Sequence, residues 1–164
     1  KAFFEKLSFD SITVNPYLGF DSVQPFLNFK DKGVIILALT SNKGSKDFQY
    51  LTVDGNPLYE KVVDKVIEWN SASNCAIVVG ATHPDELKRL REKAPNLPFL
   101  IPGIGAQGGD LEATIKSGCD KNGELALINV SRGIIYASSG EDFDTKAREA
   151  ALKFNEEINN YRKK

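Results

Sequence analysis

Five short apolar runs, separated by amphipathic segments, constrain the fold of this chain more than any other feature of its sequence. The runs are "SITVN", "GVIILAL", "CAIVVGA", "PFLIPG" and "LALINVS". They are rich in β-branched residues and are apolar throughout rather than alternating, so they predict strands buried on both faces of a parallel sheet. The segments between them predict helices that pack on that sheet.

Helix signals fall between and after the runs. In "PDELKRLREKAP", Pro84 stands at the first helical position, acidic residues follow it, basic residues occupy the later turns and Pro95 ends the helix. "LYEKVVDKVIEWN" and a final segment from about Asp144 to Tyr161 have apolar residues at helical spacing. Strand and helix therefore alternate about five times along the chain.

Two α/β architectures have this alternation: an open doubly wound sheet of the flavodoxin type, and a closed (β/α)8 TIM barrel. A whole barrel usually takes about 250 residues, with about 200 near the lower limit. This chain has 164, so it would supply only about the last five βα units of a barrel. We treat residues 1–164 as one domain. In both architectures ligands bind at the carboxyl ends of the strands.

Composition excludes several classes of protein. The chain is 41% hydrophobic and 26% charged with a net charge of -1, which indicates a globular protein without a field that favours nucleic acid. No apolar run approaches the roughly 20 residues of a membrane helix and no signal-like segment opens the sequence, so we expect a cytoplasmic location. Cys75 and Cys119 lack metal-ligand spacing and predict reduced thiols. The expected partner is a small molecule.

The stretch "PGIGAQGGD" places four glycines between the fourth run and a helix that Asp110 is predicted to cap. Glycines let a backbone approach a ligand closely, and the N–H groups at a helix start favour anions. The turn therefore predicts a phosphate site, with Gln107 as a further donor. A merely tight connection is the alternative interpretation.

A second turn strengthens the phosphate interpretation. Ser131 and Arg132 follow the fifth run in "LINVSRGIIYA", and an arginine can hold a phosphate with two parallel hydrogen bonds. In β/α barrels the loops after strands seven and eight are the usual phosphate site. Gln107 and Arg132 are thus predicted to converge on one phosphate.

A third turn, "LTSNKGSKDFQYLTVDGNP", is long for a strand-to-helix connection, which is typical of lids and binding loops. Ser41 and Asn42 offer donors and acceptors to a planar amide-like ring, but simple capping and turn chemistry explains them equally well. Asn15, at the end of the first run, is a further candidate for substrate contact. His83 lies at a predicted helix start and is interpreted as structural.

Five motifs, taken in order, resemble the longer bacterial branch of the orotidine 5′-phosphate decarboxylase family. They are "SITVNPYLGFDS", "LTSNKGSKDFQ", "VVGATHPDELKRLRE", "PGIGAQGGD" and "NVSRGIIYAS". The resemblance covers essentially the whole chain. It implies an eight-unit β/α barrel that works as a homodimer and converts orotidine monophosphate into uridine monophosphate in pyrimidine biosynthesis, without a metal or an organic cofactor.

The resemblance also implies roles for individual residues. The substrate-binding residues that it implies are Ser41, Pro102, Gly103, Gly105, Gln107, Ser131 and Arg132. Ser41 would hydrogen-bond the pyrimidine, while Gln107 and Arg132 would hold the 5′-phosphate. The residues from Pro102 to Gly105 would line the loop that closes over it. The backbone of Ser131 and Arg132 would complete the phosphate cradle.

The sequence departs from the family's pattern at its charged catalytic array, Asp-x-Lys-x-x-Asp, which does not occur in these 164 residues. The array's lysine protonates the new carbanion, and its second Asp reaches across the dimer interface. Because "KAFFEKLSFD" resembles the helix that follows the array, we expect the array just upstream of Lys1 and no catalysis by this chain alone. Asp144, Lys146 and Glu149 match the array only superficially and are interpreted as a solvated helix face.

Two alternatives remain open at this point. Another phosphate-binding β/α-barrel enzyme, such as a sugar-phosphate decarboxylase or epimerase, would share the phosphate grip but not the pyrimidine contact. A flavodoxin-like nucleotide-binding module without catalysis would fold alone as a stable monomer. A barrel fragment would instead expose apolar strand edges and aggregate.

Overall fold

The computed structural model describes residues 2–105 and 108–162, and its centre is a parallel β-sheet. In chain order the strands are β1 (Ser11–Val14), β2 (Gly33–Leu39), β3 (Thr52–Val53), β4 (Asn56–Pro57), β5 (Cys75–Val79), β6 (Phe99–Pro102) and β7 (Ala126–Asn129). β3 and β4 form a small antiparallel pair, and the other five strands form the main sheet, in which every pairing is parallel. All five predicted runs coincide with the strands of the main sheet.

Helices follow the strands as the sequence predicts. They are α1 (Phe20–Leu27), α2 (Ser45–Phe48), α3 (Leu58–Trp69), α4 (Pro84–Lys93), α5 (Leu111–Gly118), α6 (Arg132–Ile135) and α7 (Phe143–Arg162). A π-helical turn at Ala2–Lys6 precedes β1, and a 3-10 turn at Pro16–Leu18 follows it. The helix predicted to begin at Pro84 does so, and α7 extends one residue beyond each end of its predicted span.

The order of the strands distinguishes the two candidate architectures. In the main sheet the order is β1-β2-β5-β6-β7, which is also their order along the chain. A doubly wound sheet reverses its strand order at a switch point, and no reversal occurs among these described strands. The flavodoxin-like alternative is therefore wrong. Consecutive parallel strands that add in one direction are the arrangement of consecutive units in a β/α barrel.

Burial on the two faces of the sheet supports the same conclusion. Ile36, Ile77 and Phe99 pair in register on one face, and their side chains have no exposed surface because the helices cover them. On the opposite face, Leu100 is partly exposed and its register partner Leu127 is 53% exposed. A doubly wound sheet carries helices on both faces. The described residues instead form part of a barrel, with the half-covered face on the interior side.

This half-covered face corrects one expectation from the sequence. Burial on both faces was predicted for all five strands, but β1 and β7 each alternate between exposed and half-buried residues. They are the edge strands of the sheet, so each has a neighbour on one side only. Apolar runs of this kind are typical of strands with neighbours on both sides in a closed barrel. The described strands alone do not close the barrel.

Candidate functional site

The residues predicted to bind a ligand lie along the carboxyl-terminal edge of the main sheet. Ser41 follows β2 by two residues, Pro102 ends β6, and Ser131 and Arg132 follow β7. Because the strands are parallel, all these positions share one edge, which is where β/α barrels place their ligands. The structure brings the three predicted turns to this edge. Gln107 lies outside the described residues.

The glycine-rich turn after β6 needs several of its glycines for its conformation. Gly103 and Gly105 have φ values of 109° and 72°, in the left-handed region that favours glycine. Gly108 N donates to Gly105 O at 2.8 Å, and Gly109 N donates to Gly103 O at 3.1 Å. A methyl group on Gly109 would lie 2.7 Å from Cβ of Ala81. The described residues on either side of positions 106 and 107 are therefore hydrogen-bonded to each other, and Gly109 packs directly on Ala81, just beyond β5.

The turn after β7 lies beside the glycine-rich turn. Pro102 and Asn129 are register partners at the ends of β6 and β7, so the two turns start next to each other. Ser131 Oγ donates to Asn129 Oδ1 at 3.4 Å. The side chain of Arg132 is exposed and has no hydrogen bond or ion pair with any residue that the structure describes. Its guanidinium is thus available to an anion at this edge.

The amino end of α5 already holds a negative charge. Asp110 Oδ1 accepts a hydrogen bond from Ala113 N at 2.6 Å, which confirms the predicted helix cap. A carboxylate at a helix start accepts a hydrogen bond from one of the free N–H groups, and its negative charge reduces the attraction of the helix dipole for a second anion. An anion at this edge would therefore rest on the glycine turn rather than on the helix end.

Ser41 is packed against the end of the neighbouring strand. Gly80 N donates to Leu39 O at 2.8 Å, so the ends of β2 and β5 remain hydrogen-bonded beyond the regular ladder. A methyl group on Gly80 would lie 2.8 Å from both Cβ and the backbone N of Ser41. No residue with a Cβ atom fits here without displacing the serine. A glycine that ends an apolar run is a known signal of close backbone approach, and the sequence contained it in "VVGAT".

The long segment predicted to be a lid is itself folded. It contains α2 and the β3–β4 pair, which turns at Asp54 and Gly55 with positive φ values of 49° and 78°. Its Tyr50 side chain reaches α4, where the Tyr50 hydroxyl donates to Glu86 Oε1 at 3.0 Å and lies 3.2 Å from His83 Nδ1. Burial, and then the Glu86 hydrogen bond, raise the pKa of Tyr50. These contacts attach the segment to the β5–α4 turn; its movement as a lid stays a prediction.

Two other sequence candidates have partners within the chain. Asn15 Oδ1 accepts from Tyr17 N at 3.0 Å and so caps the turn after β1; a substrate contact for Asn15 stays a prediction. Lys146 is exposed on α7 and pairs with Glu149 at 2.7 Å, while Asp144 Oδ1 accepts from Thr145 N. The match to a catalytic array is therefore a solvated helix face, as interpreted from the sequence.

The described residues contain no candidate metal site, no disulfide bond and no membrane-spanning helix. No group of three His, Cys, Asp or Glu side chains in residues 2–105 and 108–162 is arranged to hold a metal ion. Cys75 and Cys119 are free thiols, buried and half-buried, as predicted. Among the helices that the structure describes, none is long and apolar enough to cross a membrane.

Sequence comparison identifies the family to which this chain is similar. A sequence model of the "Orotidine 5'-phosphate decarboxylase / HUMPS family" matches residues 1–150. The orotidine 5'-phosphate decarboxylase of Dehalococcoides mccartyi strain CBDB1 is 55% identical over 168 aligned positions, which cover 100% of this chain and 62% of that protein. The protein of the same name from Azoarcus sp. strain BH72 is 54% identical, with 97% and 59% covered. The chain spans about three fifths of the length of these curated relatives.

Structural comparison agrees with the sequence. The structure of Leishmania donovani OMP decarboxylase superposes with a TM-score of 0.86 at 43% identity, covering 99% of this chain and 61% of that one. The structure of Leishmania donovani UMP synthase superposes with a TM-score of 0.87 at 46% identity, covering 98% of this chain and 35% of that one. Similarity of sequence and of fold therefore extends over essentially every residue of this chain.

Proposed function

This chain belongs to the orotidine 5′-phosphate decarboxylase / HUMPS family, and on that basis we propose that the protein carrying it converts orotidine 5′-monophosphate into uridine 5′-monophosphate and CO₂. The observation that carries the proposal is the arrangement of Ser41, the glycine-rich turn and Arg132 on one edge of the sheet. β2 and β6 are separated only by β5, so their ends lie about 10 Å apart at the usual strand spacing. A mononucleotide can span that distance.

Each end of the nucleotide has its own set of residues in this proposal. Ser41 hydrogen-bonds the pyrimidine at the end of β2. Arg132 and Gln107 hold the 5′-phosphate, with the backbone of Ser131 and Arg132 beside it. Pro102, Gly103 and Gly105 line the loop that closes over the phosphate. The guanidinium of Arg132 is exposed beside this turn and pairs with no residue in ranges 2–105 and 108–162, which supports the assignment.

The residues that bind the phosphate affect the rate of a reaction at the distant pyrimidine ring. When CO₂ leaves, the electron pair of the broken C–C bond stays on the ring carbon, which has no electron sink and then takes up a proton. Binding energy from the phosphate can close the loops and exclude water, so that fixed charges act strongly on the transition state. Contacts at Arg132 thereby contribute to the rate as well as to affinity.

The proton donor comes from outside this chain in our proposal. The motif Asp-x-Lys-x-x-Asp is absent from the 164 residues, and the relatives are longer than the part that this chain matches. Residues 1–164 are then one portion of a single barrel domain, and they bind substrate without catalysing its decarboxylation. The half-covered sheet face and the single-sided edge strands β1 and β7 support this view.

We also propose that the protein works as a cytoplasmic homodimer. Exposed apolar side chains gather near the end of β1 and on the long segment after β2, including Tyr17 at 79% and Leu18 at 75% exposure and Phe48 and Leu51. Exposed apolar groups of this kind mark protein–protein contacts. A mass measured by light scattering at twice that of the full-length subunit supports the homodimer, and the mass of one subunit refutes it.

A second candidate is an enzyme of the same family that acts on a sugar phosphate. The name of the matched family covers more than one enzyme. Arg132 could bind the phosphate group of either kind of substrate. The two candidates differ at Ser41. If the pyrimidine contact exists, Ser41→Ala weakens the binding of uridine 5′-monophosphate but not that of ribose 5-phosphate; a sugar-phosphate enzyme shows no such difference.

The direct test is turnover. Full-length protein carrying this chain is incubated with orotidine 5′-monophosphate, and the uridine 5′-monophosphate formed is measured by chromatography. We expect turnover by the full-length protein, a strong loss in Arg132→Ala, and none by residues 1–164 alone. Tight binding of uridine 5′-monophosphate without any turnover by the full-length protein would contradict the proposed reaction. Arg148→Ala, an exposed arginine on α7, is the matched control.

A further inference from the structure

Thr40, the residue between β2 and Ser41, is held by the side chain of a residue nine positions later. Gln49 Oε1 accepts a hydrogen bond from Thr40 N at 2.8 Å, and Gln49 Nε2 donates to Thr40 Oγ1 at 2.8 Å. Because a backbone N–H only donates, the carboxamide of Gln49 can have only this orientation. One side chain therefore binds both the backbone and the side chain of Thr40.

The remaining polar groups of Thr40 are bound as well. Thr40 Oγ1 donates to Asn42 Oδ1 at 2.6 Å, and Thr40 O lies 3.3 Å from His83 Nε2. A carbonyl oxygen only accepts, so Nε2 carries a hydrogen in this arrangement. The other ring nitrogen of His83 faces the Tyr50 hydroxyl. The backbone just before Ser41 is thus fixed by side chains from the long segment and from the start of α4.

This fixation occurs where the regular sheet ends. β2 ends at Leu39, and beyond it Thr40 N donates to the Gln49 side chain instead of to a neighbouring strand. On the other side, the backbone of Gly80 lies against Ser41, because a methyl group added there would be 2.8 Å from the backbone N of Ser41. Ser41 is therefore placed by Thr40 before it and by Gly80 beside it.

We propose that Gln49 and His83 are positioning residues for Ser41: through Thr40 they hold the serine in the orientation that contacts the nucleotide's ring, without touching the ligand themselves. The inference rests on the proposed function, since it assigns their role through Ser41. The reason is physical. A binding group must be held to within a fraction of an ångström by the residues that support it.

The test is a double-mutant cycle in the full-length protein, with binding measured by calorimetry. The variants are Ser41→Ala, Gln49→Ala and the double variant, and the probes are uridine 5′-monophosphate and ribose 5-phosphate. We expect Gln49→Ala to weaken nucleotide binding about tenfold, as for one lost hydrogen bond, and to leave ribose 5-phosphate binding unchanged. In the Ser41→Ala background, Gln49→Ala should cause no further loss.

Two further variants separate positioning from folding. Gln49→Glu keeps an acceptor for Thr40 N but cannot donate to Thr40 Oγ1, so nucleotide affinity should lie between wild type and Gln49→Ala. His83→Gln keeps a donor within reach of Thr40 O and should retain more affinity than His83→Ala. Gln24→Ala, on the exposed side of α1, is the control and should match wild type.

The possible outcomes are distinguishable. Losses that add in the double variant, or that affect both probes equally, show that Gln49 supports the fold in general, and they overturn the inference while the proposed function stands. If wild-type protein binds ribose 5-phosphate but not the nucleotide, the pyrimidine contact itself is wrong, and the inference falls with it. Loss of nucleotide affinity alone, absent when Ser41 is already alanine, supports the inference.

Discussion

The guanidinium of Arg91 lies over the ring of Phe99, with its central carbon 3.7 Å from the ring centroid. Both side chains are buried. Arg91 also donates to the carbonyl oxygens of Leu97, Gly118 and Leu125 at 2.7 to 3.0 Å. One side chain therefore ties the end of α5 to the segments that lead into β6 and β7. Burial lowers the pKa of Arg91, but an arginine remains charged at neutral pH.

We predict that Arg91→Met destabilises the protein strongly. Methionine fills much of the volume but removes the Arg91 donor from the buried carbonyl oxygens of Leu97 and Gly118, which costs on the order of 3 kcal/mol or more. Arg91→Lys should be intermediate, because an ammonium group cannot reach all of these carbonyls from one point. The measurement is urea unfolding of the full-length protein. Lys88→Ala, an exposed change on the same helix, should alter the free energy of unfolding by less than about 0.5 kcal/mol.

A second prediction concerns Gly80. In Gly80→Ala the new methyl group would overlap the backbone of Ser41, so we expect a loss of about 1–3 kcal/mol of stability from overpacking together with weaker binding of uridine 5′-monophosphate. Ribose 5-phosphate binding, measured by calorimetry on the same sample, should change less. Gly140→Ala is the matched control, since its nearest atom is the flexible carboxylate of Asp142. Equal effects on both ligands would contradict a specific displacement of Ser41.

Arg132 provides a third prediction. Arg132→Ala should weaken ribose 5-phosphate binding by about tenfold to a hundredfold, the value of contacts between charged groups. Arg132→Lys should recover only part of this affinity, because one ammonium replaces a two-pronged contact. The measurement is calorimetry at two salt concentrations, and the difference between wild type and Arg132→Ala should shrink at the higher one. An unchanged affinity in Arg132→Ala would place the phosphate elsewhere.

Much of the fold is visible in the sequence because its local signals agree with one another. The five apolar runs are bounded by Gly, Pro and Asn, and they match the strands of the main sheet to within two residues at each end. Pro84 and Asp110 mark the starts of α4 and α5 for reasons that are local to each residue. The order of the strands could not be predicted in this way, since both α/β architectures share the same alternation.

The site could be predicted only in part. Ser41 and Arg132 stand at strand ends, which the sequence locates. The pairing of Gln49 with Thr40 depends on the path of the long segment, and no periodicity encodes that path. Arg91 shows a signal that was missed: it follows Leu87 and Leu90 at helical spacing and so shares their buried stripe, although its charge suggested the solvated end of a helix.

The last prediction concerns pH and Tyr50. Burial, and then its hydrogen bond to Glu86, raise the pKa of Tyr50 above the ordinary value of 10. A raised pKa means that the folded protein favours the neutral phenol. The corresponding stability is fully present below pH 10 and is lost as the pH rises above it, because the unfolded chain then ionises first. Tyr59 contributes in the same direction through burial.

Tyr50→Phe should therefore have two effects in urea unfolding of the full-length protein. At pH 8 it should cost about 0.5–1.5 kcal/mol for each hydrogen bond lost. Between about pH 10 and 11 its stability should fall less steeply than that of wild type, because one source of proton release on unfolding has gone. Tyr136→Phe, at an exposed position, is the control and should follow the wild-type curve. Parallel curves for Tyr50→Phe and wild type at alkaline pH would show that Tyr50 ionises alike in the folded and unfolded states.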